Sequence, residues 1–547
     1  MKLFPILLLI LLPIAAVTVD AQTSFEVVAA ARTIYIDVTA PPWSATGYDE
    51  TDDTAAFDSV IAYANANGSI STPGDVFGLK TTRFVILVPD GVYSIPAGLT
   101  NSIDVDNVWW LGTSPDGSII QGQTGTLFKW GGAGQIYGGG MRDLKFLYSA
   151  ADVNALCLDI ANAAHLSFEG IRLRNTGKFA KLGDSATAKF TSSVRFRDVM
   201  GYVANLGVPT FDLQNGAGFY LSSSIINTSG VDVPAGTDAH AALPGQAFIL
   251  SQGTGWDTAQ VTDVLINRYY HNLYLAPAAG ASVNNWFFSN FLGDYSARGV
   301  VLRSAGGNIR NHKYTNCWSV ATDLDSWSLE GTDTGVLESV DFVSSIAIIS
   351  GRHGWNIAKG NKISLDAACE SVGQGRLVTG YGVYLDGDGF ANAVQNIVIL
   401  GGRHGLDGAP YTTYTPLQAT YGIRVTASAL RYTVRDVRAS GITDPFSFAA
   451  PAAQAASCLV RDNRRIDGAK PTYATVATMT VPASTVAHTN VGPHMKRYYV
   501  SGGTVTQIQK GSLRISTGTN MMVELRPGES WTITYTGVPL VVEDILP

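Results

Sequence analysis

The run Ala247-Phe248-Ile249-Leu250 restarts as Asn272-Leu273-Tyr274-Leu275, Gly299-Val300-Val301-Leu302, Gly382-Val383-Tyr384-Leu385 and Gly422-Ile423-Arg424-Val425. Phe248 and Leu273 are 25 residues apart, Leu273 and Val300 are 27 apart, and the 83 from Val300 to Val383 fit three further steps. Each restart is a short alternating strand followed by a Gly, Asn, Asp or Ser turn. A unit this small cannot bury its apolar face alone and must stack on its neighbours. Strand-and-turn repeats of about 20–30 residues point to a parallel β-helix, an all-β solenoid whose function is confined to side chains on its outer walls.

Composition agrees with that reading. Of 547 residues only 15% are charged and 58 are glycine, which suits many tight turns around a long, narrow apolar interior. A net charge of −7 gives no basic stripe and argues against nucleic acid as a partner. Residues 1–21 read as a secretion signal, with Lys2 as the positive start, an apolar Leu3 to Val17, and Val19 and Ala21 at the small-residue cleavage positions. The competing reading, an N-terminal membrane anchor, needs a longer apolar run, and no later segment is apolar enough to span a bilayer. Cys157, Cys317, Cys369 and Cys458 match no metal spacing and read as buried free thiols rather than two disulfides.

Along the chain, residues 22–100 read as opening strands and a capping helix. Residues 25–38 form an apolar strand; Asp52 or Asp53 caps a helix with Phe57, Val60, Ile61 and Ala64 on one face, and Gly68 ends it. A strand, a Pro-Asp-Gly turn and a second strand follow over 84–95. A helix over the first coil covers backbone groups that an open solenoid end leaves unpaired. Residues 101–465 carry the repeat, and 470–547 form a separate small β-domain with a turn at 526–530.

Asp52-Asp53-Thr-Ala-Ala-Phe57 through Ala64, followed by Val88-Pro-Asp-Gly-Val-Tyr-Ser-Ile95, resembles the start of pectate-lyase-superfamily β-helix domains, common in phage tailspikes and related polysaccharide-active proteins. Tyr498 to Gly503 and Leu525 to Tyr535 are similar to the small β-domains that end some phage tail proteins. The resemblance implies a right-handed parallel β-helix with a small C-terminal β-sandwich-like domain, assembled as a homotrimer, that binds or cuts an extracellular or capsular polysaccharide. Phage tailspikes usually lack a secretion signal, so a secreted bacterial or prophage-derived enzyme stands beside a virion-associated tailspike. The Asn-Thr-Asp and Arg-Ile-Lys signature of polygalacturonases and the Trp-x-Asp-His of pectate lyases are not found, so no catalytic residue carries over.

Glycoside hydrolysis needs an acid and a second carboxylate about 5–9.5 Å apart. Coils of a β-helix lie about 4.8 Å apart, so matching positions one or two coils apart meet the requirement. The acidic candidates fall between 338 and 388. They are Glu370, in a strand-end segment similar to tailspike-like coils, then Asp386, Asp388, Asp341 and Asp366, with Glu338 nearby. Asp beside Gly is also ordinary turn chemistry.

The tetrapeptide Gly-Arg-His-Gly occurs at 351–354 and at 402–405, 51 residues apart, about two coils. That spacing predicts one shared turn projecting Arg352, His353, Arg403 and His404 from the same wall to hold an acidic sugar and move a proton; the alternative is a repeat-encoded turn whose Arg pairs with a nearby Asp. Trp355, with Trp318, Trp327, Tyr269, Tyr270 and the run Trp286-Phe287-Phe288, offers stacking faces; core filling is the plainer use of most of them. Asn154 and similar Asn residues are expected in internal stacks. No cofactor is implied, and a calcium between Asp386 and Asp388 has no specific signal. Three functions follow from these residues: a polysaccharide depolymerase with a carboxylate pair, a non-catalytic glycan-binding adhesin or tail fibre, and a uronate lyase or epimerase.

Overall fold

The computed structural model describes residues 32–545 apart from 48–50, 72–81, 133, 151, 230–241, 333, 376, 388–393, 406–418, 427, 441–443, 449–457, 462, 466–476, 492–494 and 519. The predicted signal, the start of the first strand and Asp388 therefore lie outside the described residues. The chain is a right-handed parallel β-helix of about twelve turns. One wall is a 12-stranded sheet and the remainder a 26-stranded sheet, both parallel.

The restarting runs all belong to the 12-stranded sheet. Ile249 pairs with Leu273, Leu273 with Val300, and Trp327, Trp355, Val383 and Ile423 continue the same rung. Three steps separate Val300 from Val383, as the spacing predicts. The partner of Leu273 is Ile249 rather than Phe248, because a turn absorbs one residue. Inward positions stack ring on ring: Tyr314 lies 5.0 Å from Phe288 and 5.2 Å from Phe342, both at 15°. Such pairs add about 0.5–1.5 kcal/mol each beyond their buried area.

The larger sheet bends sharply along two columns of left-handed backbone. One column runs through Asp143, Gly170, Asp198, Ser223, Asp263, Asn290, Asn316 and Ser344, with φ between 51° and 65°. Most side chains resist this conformation by about 1–2 kcal/mol, and Asn and Asp tolerate it best. Their side chains also bond from coil to coil. Asn290 Nδ2 donates to Asp263 Oδ1 at 2.7 Å, Asn316 Nδ2 to Asn290 Oδ1 at 2.7 Å, and Trp318 Nε1 to Asn316 Oδ1 at 3.3 Å. These ladders are on the outside, contrary to the expected internal stacks; Asn154 itself is exposed in a turn.

The helix spans Thr54–Asn67 and ends at Gly68, with Phe57, Val60, Ile61 and Ala64 buried against the first coils. Phe57 lies parallel to Trp110 at 5.5 Å. Asp53 occupies the cap position, but its carboxylate does not cap; it accepts from Thr46 N at 2.8 Å and Ser94 N at 3.3 Å, tying the helix to the loop and strand beside it. All four cysteines are buried and unpaired. Two four-stranded antiparallel sheets near the C-terminus enclose a separate core that includes Tyr498, Val523 and Trp531. Among the described residues no helix is long and apolar enough to cross a membrane.

The outer Asn ladder generates a stability prediction. Asn290→Val places a β-branched residue at φ 52° and removes both ladder bonds, so it lowers the thermal midpoint more than Asn290→Gly, which keeps the backbone geometry. Equal midpoints for the two variants in a calorimetric scan would show that the left-handed column bears no strain.

Candidate functional site

The outer face of the 12-stranded sheet, across strands Trp327–Gly331, Trp355–Ile357, Gly380–Leu385 and Ala419–Val425, gathers carboxylates, guanidiniums and half-buried rings. Alternation turns Trp327, Leu329, Trp355, Ile357, Val383 and Leu385 into the core. Ser328, Asn356, Tyr384 and Arg424 form the opposite column. One residue past Leu329, Ile357, Leu385 and Val425 the ladder continues. Ala358 N donates to Leu329 O at 2.8 Å, Asp386 N to Ile357 O at 3.2 Å, and Thr426 N to Leu385 O at 3.0 Å. Glu330, Ala358, Asp386 and Thr426 therefore occupy one column.

That column places two carboxylates on either side of a methyl group. Two rungs separate Glu330 from Asp386, about 9–10 Å between backbones. Asp386 accepts from Tyr384 Oη at 2.5 Å, Ser428 Oγ at 2.8 Å and Thr426 Oγ1 at 2.9 Å, a donor set that suits an ionised carboxylate. Glu330 accepts from Arg298 Nη2 at 2.7 Å, and both side chains remain partly exposed. Beside them Tyr381 stacks on His353 at 5.0 Å and 7°, lies 6.0 Å from Tyr421, and receives a 2.6 Å hydrogen bond from Arg424 Nη1. The Arg424 guanidinium covers both tyrosine rings at 5.2 and 5.7 Å.

The duplicated Gly-Arg-His-Gly does not form the paired surface that its spacing suggests. The first copy is the turn leading into Trp355–Ile357; the second begins with Gly402 and fills strand Arg403–Gly405 of the other sheet, where Arg403 pairs with Glu370 and Arg438. Turn lengths differ between the intervening coils, so two coils' worth of residues does not preserve phase. Both arginines are held by carboxylates. Arg352 forks onto fully buried Asp325 (Nε–Oδ1 2.8 Å, Nη2–Oδ2 2.5 Å), and Arg403 forks onto Glu370 (3.1 and 3.3 Å). Burial opposes the charge on Asp325, but Arg352, His353 and Asn356 hold its carboxyl below the usual carboxylate range.

Neither histidine stands ready as a proton shuttle. Burial lowers His353 to about 4, helped by Arg352 and Arg424 against the pull of Asp325, and its Nδ1 accepts from Tyr381 N at 3.1 Å. Burial alone lowers His404 to about 3, with Nδ1 3.0 Å from Ser371 Oγ and the ring edge-on to Trp355. Trp355 is fully buried and offers no sugar face, and the same holds for Trp286, Trp327 and Tyr269; Tyr270 is half-buried, and Phe287 and Trp318 are exposed.

The remaining acidic candidates have structural partners. Asp366 accepts from Ser344 N and Ala368 N, both at 3.0 Å, Asp341 accepts from Ser364 Oγ at 2.5 Å, and Glu338 forms a 3.0 Å ion pair with Arg310. Of the predicted acids, Asp386 is the one that the ladder places in one column with a second carboxylate, two rungs away. Glu330 was missed in the sequence, although Leu329-Glu330-Gly331 and Leu385-Asp386-Gly387 are a repeated signature two coils apart.

No family model and no curated protein matches the chain. Among solved structures it is similar to the Dettilon tailspike protein, with 11% identity over 94% of each chain and a TM-score of 0.49. It is also similar to tailspike protein 3 of bacteriophage CBA120, at 12% identity over 83% of this chain and 65% of that one (TM-score 0.43). The endo-xylogalacturonan hydrolase of Aspergillus tubingensis matches at 11% identity over 76% of this chain and 100% of its own (TM-score 0.41). Nothing about chemistry follows from likeness at this level.

Two outcomes test the electrostatic arrangement. Arg352→Ala strands the buried Asp325 carboxylate and destabilises the protein by about 3–5 kcal/mol, whereas Arg403→Ala, at an exposed pair, costs less than about 1 kcal/mol in denaturant unfolding. Similar losses for the two variants would refute the distinction. Separately, His271 and His404 are lowered to about 3, and His312 and His353 to about 4, so the fold keeps these imidazoles neutral while the unfolded chain protonates near the ordinary 6.5. Their contribution is present above pH 6.5 and is lost as pH falls towards 4 and 3. Thermal scans across that window show a falling midpoint, and His404→Gln flattens it; a slope unchanged by the substitution counts against the assignment.

Proposed function

We propose that the protein is an extracellular polysaccharide depolymerase that hydrolyses glycosidic bonds at the Glu330–Asp386 column. The observation that carries this reading is the pair of carboxylates two rungs apart with only Ala358 between them. Two rungs set the backbones about 9–10 Å apart, and a Glu330 side chain that swings off Arg298 brings the two carboxyls into the roughly 6.5–9.5 Å range of inverting glycosidases, which leaves room for a water between carboxylate and sugar. Asp386, satisfied as an anion by three hydroxyls, is the base that activates this water. Glu330 is the acid that protonates the leaving oxygen. The half-buried Tyr381, Tyr384 and Tyr421, packed on one another and on Arg424, supply ring edges and polar groups for neighbouring sugar units.

The lyase or epimerase reading has less support, because Arg352, a cation that would neutralise a uronate at the reacting carbon, is committed to the buried Asp325, and Arg403 lies on the other sheet from the column. A non-catalytic glycan binder remains a second reading, favoured by the ring stack His353–Tyr381–Tyr421, which needs no chemistry to hold a saccharide.

Assays on a panel of acidic and neutral polysaccharides separate the three. Hydrolysis releases reducing ends without the unsaturated chromophore near 235 nm; Glu330→Gln and Asp386→Asn each lower the rate by at least about 100-fold, and Glu370→Gln leaves it near wild type. Full activity in either column variant sinks the assignment, and binding without product favours the adhesin.

A further inference from the structure

A second feature lies on the other sheet, in the first third of the β-helix. Strand Ser167–Thr176 pairs with Thr191–Ala204 rung by rung as far as Arg174↔Tyr202, then resumes at Thr176↔Val203. Asn175 is the extra residue, with φ 56°, and its Nδ2 ties back to Tyr148 O at 3.2 Å on the preceding coil. A bulge of this kind bends the strand and re-aims the neighbouring side chain. Around it a groove of about 540 Å³ is lined by Leu147, Tyr148, Ser149, Arg174, Tyr202 and Ser229, together with Asn175 itself.

The charge in this groove is uncommitted. Arg172, two residues earlier, is bound to Asp198 at 3.3 Å; Arg197 is 3.6 Å from Glu169, and Lys178 is 3.4 Å from Asp212. Arg174 is exposed, its rung neighbours are Leu147 and Tyr202, and no hydrogen bond or ion pair engages it among the described residues. Next to it the ring of Tyr202 is 54% exposed on the strand wall. In a chain of net charge −7, a free guanidinium beside an exposed ring in a groove of ligand size has the parts of an anionic-sugar site. The guanidinium forks onto two oxygens of a carboxylate or sulfate, and the ring takes the apolar face of the pyranose.

We propose that the Arg174–Tyr202 groove is a glycan-binding site for a sugar unit bearing an anionic group, on a different sheet from the Glu330–Asp386 column. The proposal rests on the polysaccharide reading for the nature of its ligand, but not on cleavage. It makes the protein a two-site binder, with one site holding the chain and another cutting it.

Affinity electrophoresis of the full-length protein tests it, with Asp386→Asn as the background that suppresses turnover. The probes are polygalacturonate, its carboxyl-reduced form, dextran sulfate and dextran. The expected result is retardation by polygalacturonate or dextran sulfate and not by the two neutral polymers. Arg174→Ala weakens that retardation at least about ten-fold, and Tyr202→Ala weakens it with an unchanged melting temperature. The carboxylate and sulfate arms report which anion the site prefers. Equal retardation by a neutral polymer and its charged counterpart, no retardation by either charged polymer, or an Arg174→Ala variant that binds like its parent overturns the proposal. If Asp386→Asn still releases reducing ends, the cleavage assignment fails while the binding comparison keeps its meaning.

Discussion

Every feature of this protein hangs on the parallel backbone ladder between successive coils. The ladder fixes the rise at about 4.8 Å per coil and ties the phase of each strand to that of the one below. Inward positions then meet inward positions, so the core grows as columns of like residues, with Phe288 on Tyr314 on Phe342 and Trp327 on Trp355. Outward positions meet as well. Side chains remote in sequence become neighbours at a spacing that the backbone, rather than local sequence, determines. Glu330 and Asp386 owe their separation to two rungs of that ladder and to the small residue between them.

The same ladder governs the electrostatics. A charge on one coil finds its counter-ion on the next, as Arg352 finds Asp325, Arg403 finds Glu370 and Arg298 finds Glu330. Where the partner sits below the surface the pair is structural, because a buried carboxylate without its cation is strongly unfavourable. Where both partners are partly exposed, substrate can compete for either. Burial also explains the histidines: ring nitrogens that face the coil interior stay neutral, whatever motif surrounds them.

Much of the architecture was legible in the sequence because it depends on alternation and on turns. The restarts at 247, 272, 299, 382 and 422 mark strands of one sheet. Phe57 to Ala64 is the buried helix face, and Trp286-Phe287-Phe288 alternates in, out, in. The site was less legible because it depends on phase between coils of unequal length. Of two identical tetrapeptides 51 residues apart, one fell in a turn and the other in a strand, while the less conspicuous Leu-Glu-Gly and Leu-Asp-Gly fell on one column. Strand ends, where an inward Leu is followed by an outward acid, keep phase because the ladder is continuous there; turns do not. Asp325 escaped notice for a related reason, since its partner Arg352 lies 27 residues away and no local pattern links them.

The left-handed columns at the bends have a consequence for how such a chain can change. Each coil makes its corner at the same rung, and the Asn and Asp side chains bond to the coil above and below. Gain or loss of a whole coil therefore leaves every corner, core column and wall aligned. A single residue added within a strand moves all later side chains to the opposite face unless a bulge such as that at Asn175 absorbs it. Lineages of this architecture are thus free to lengthen by whole coils and to vary their turns widely. The tightest constraint falls on the corner residues, because a change there disturbs the left-handed backbone and the ladder together.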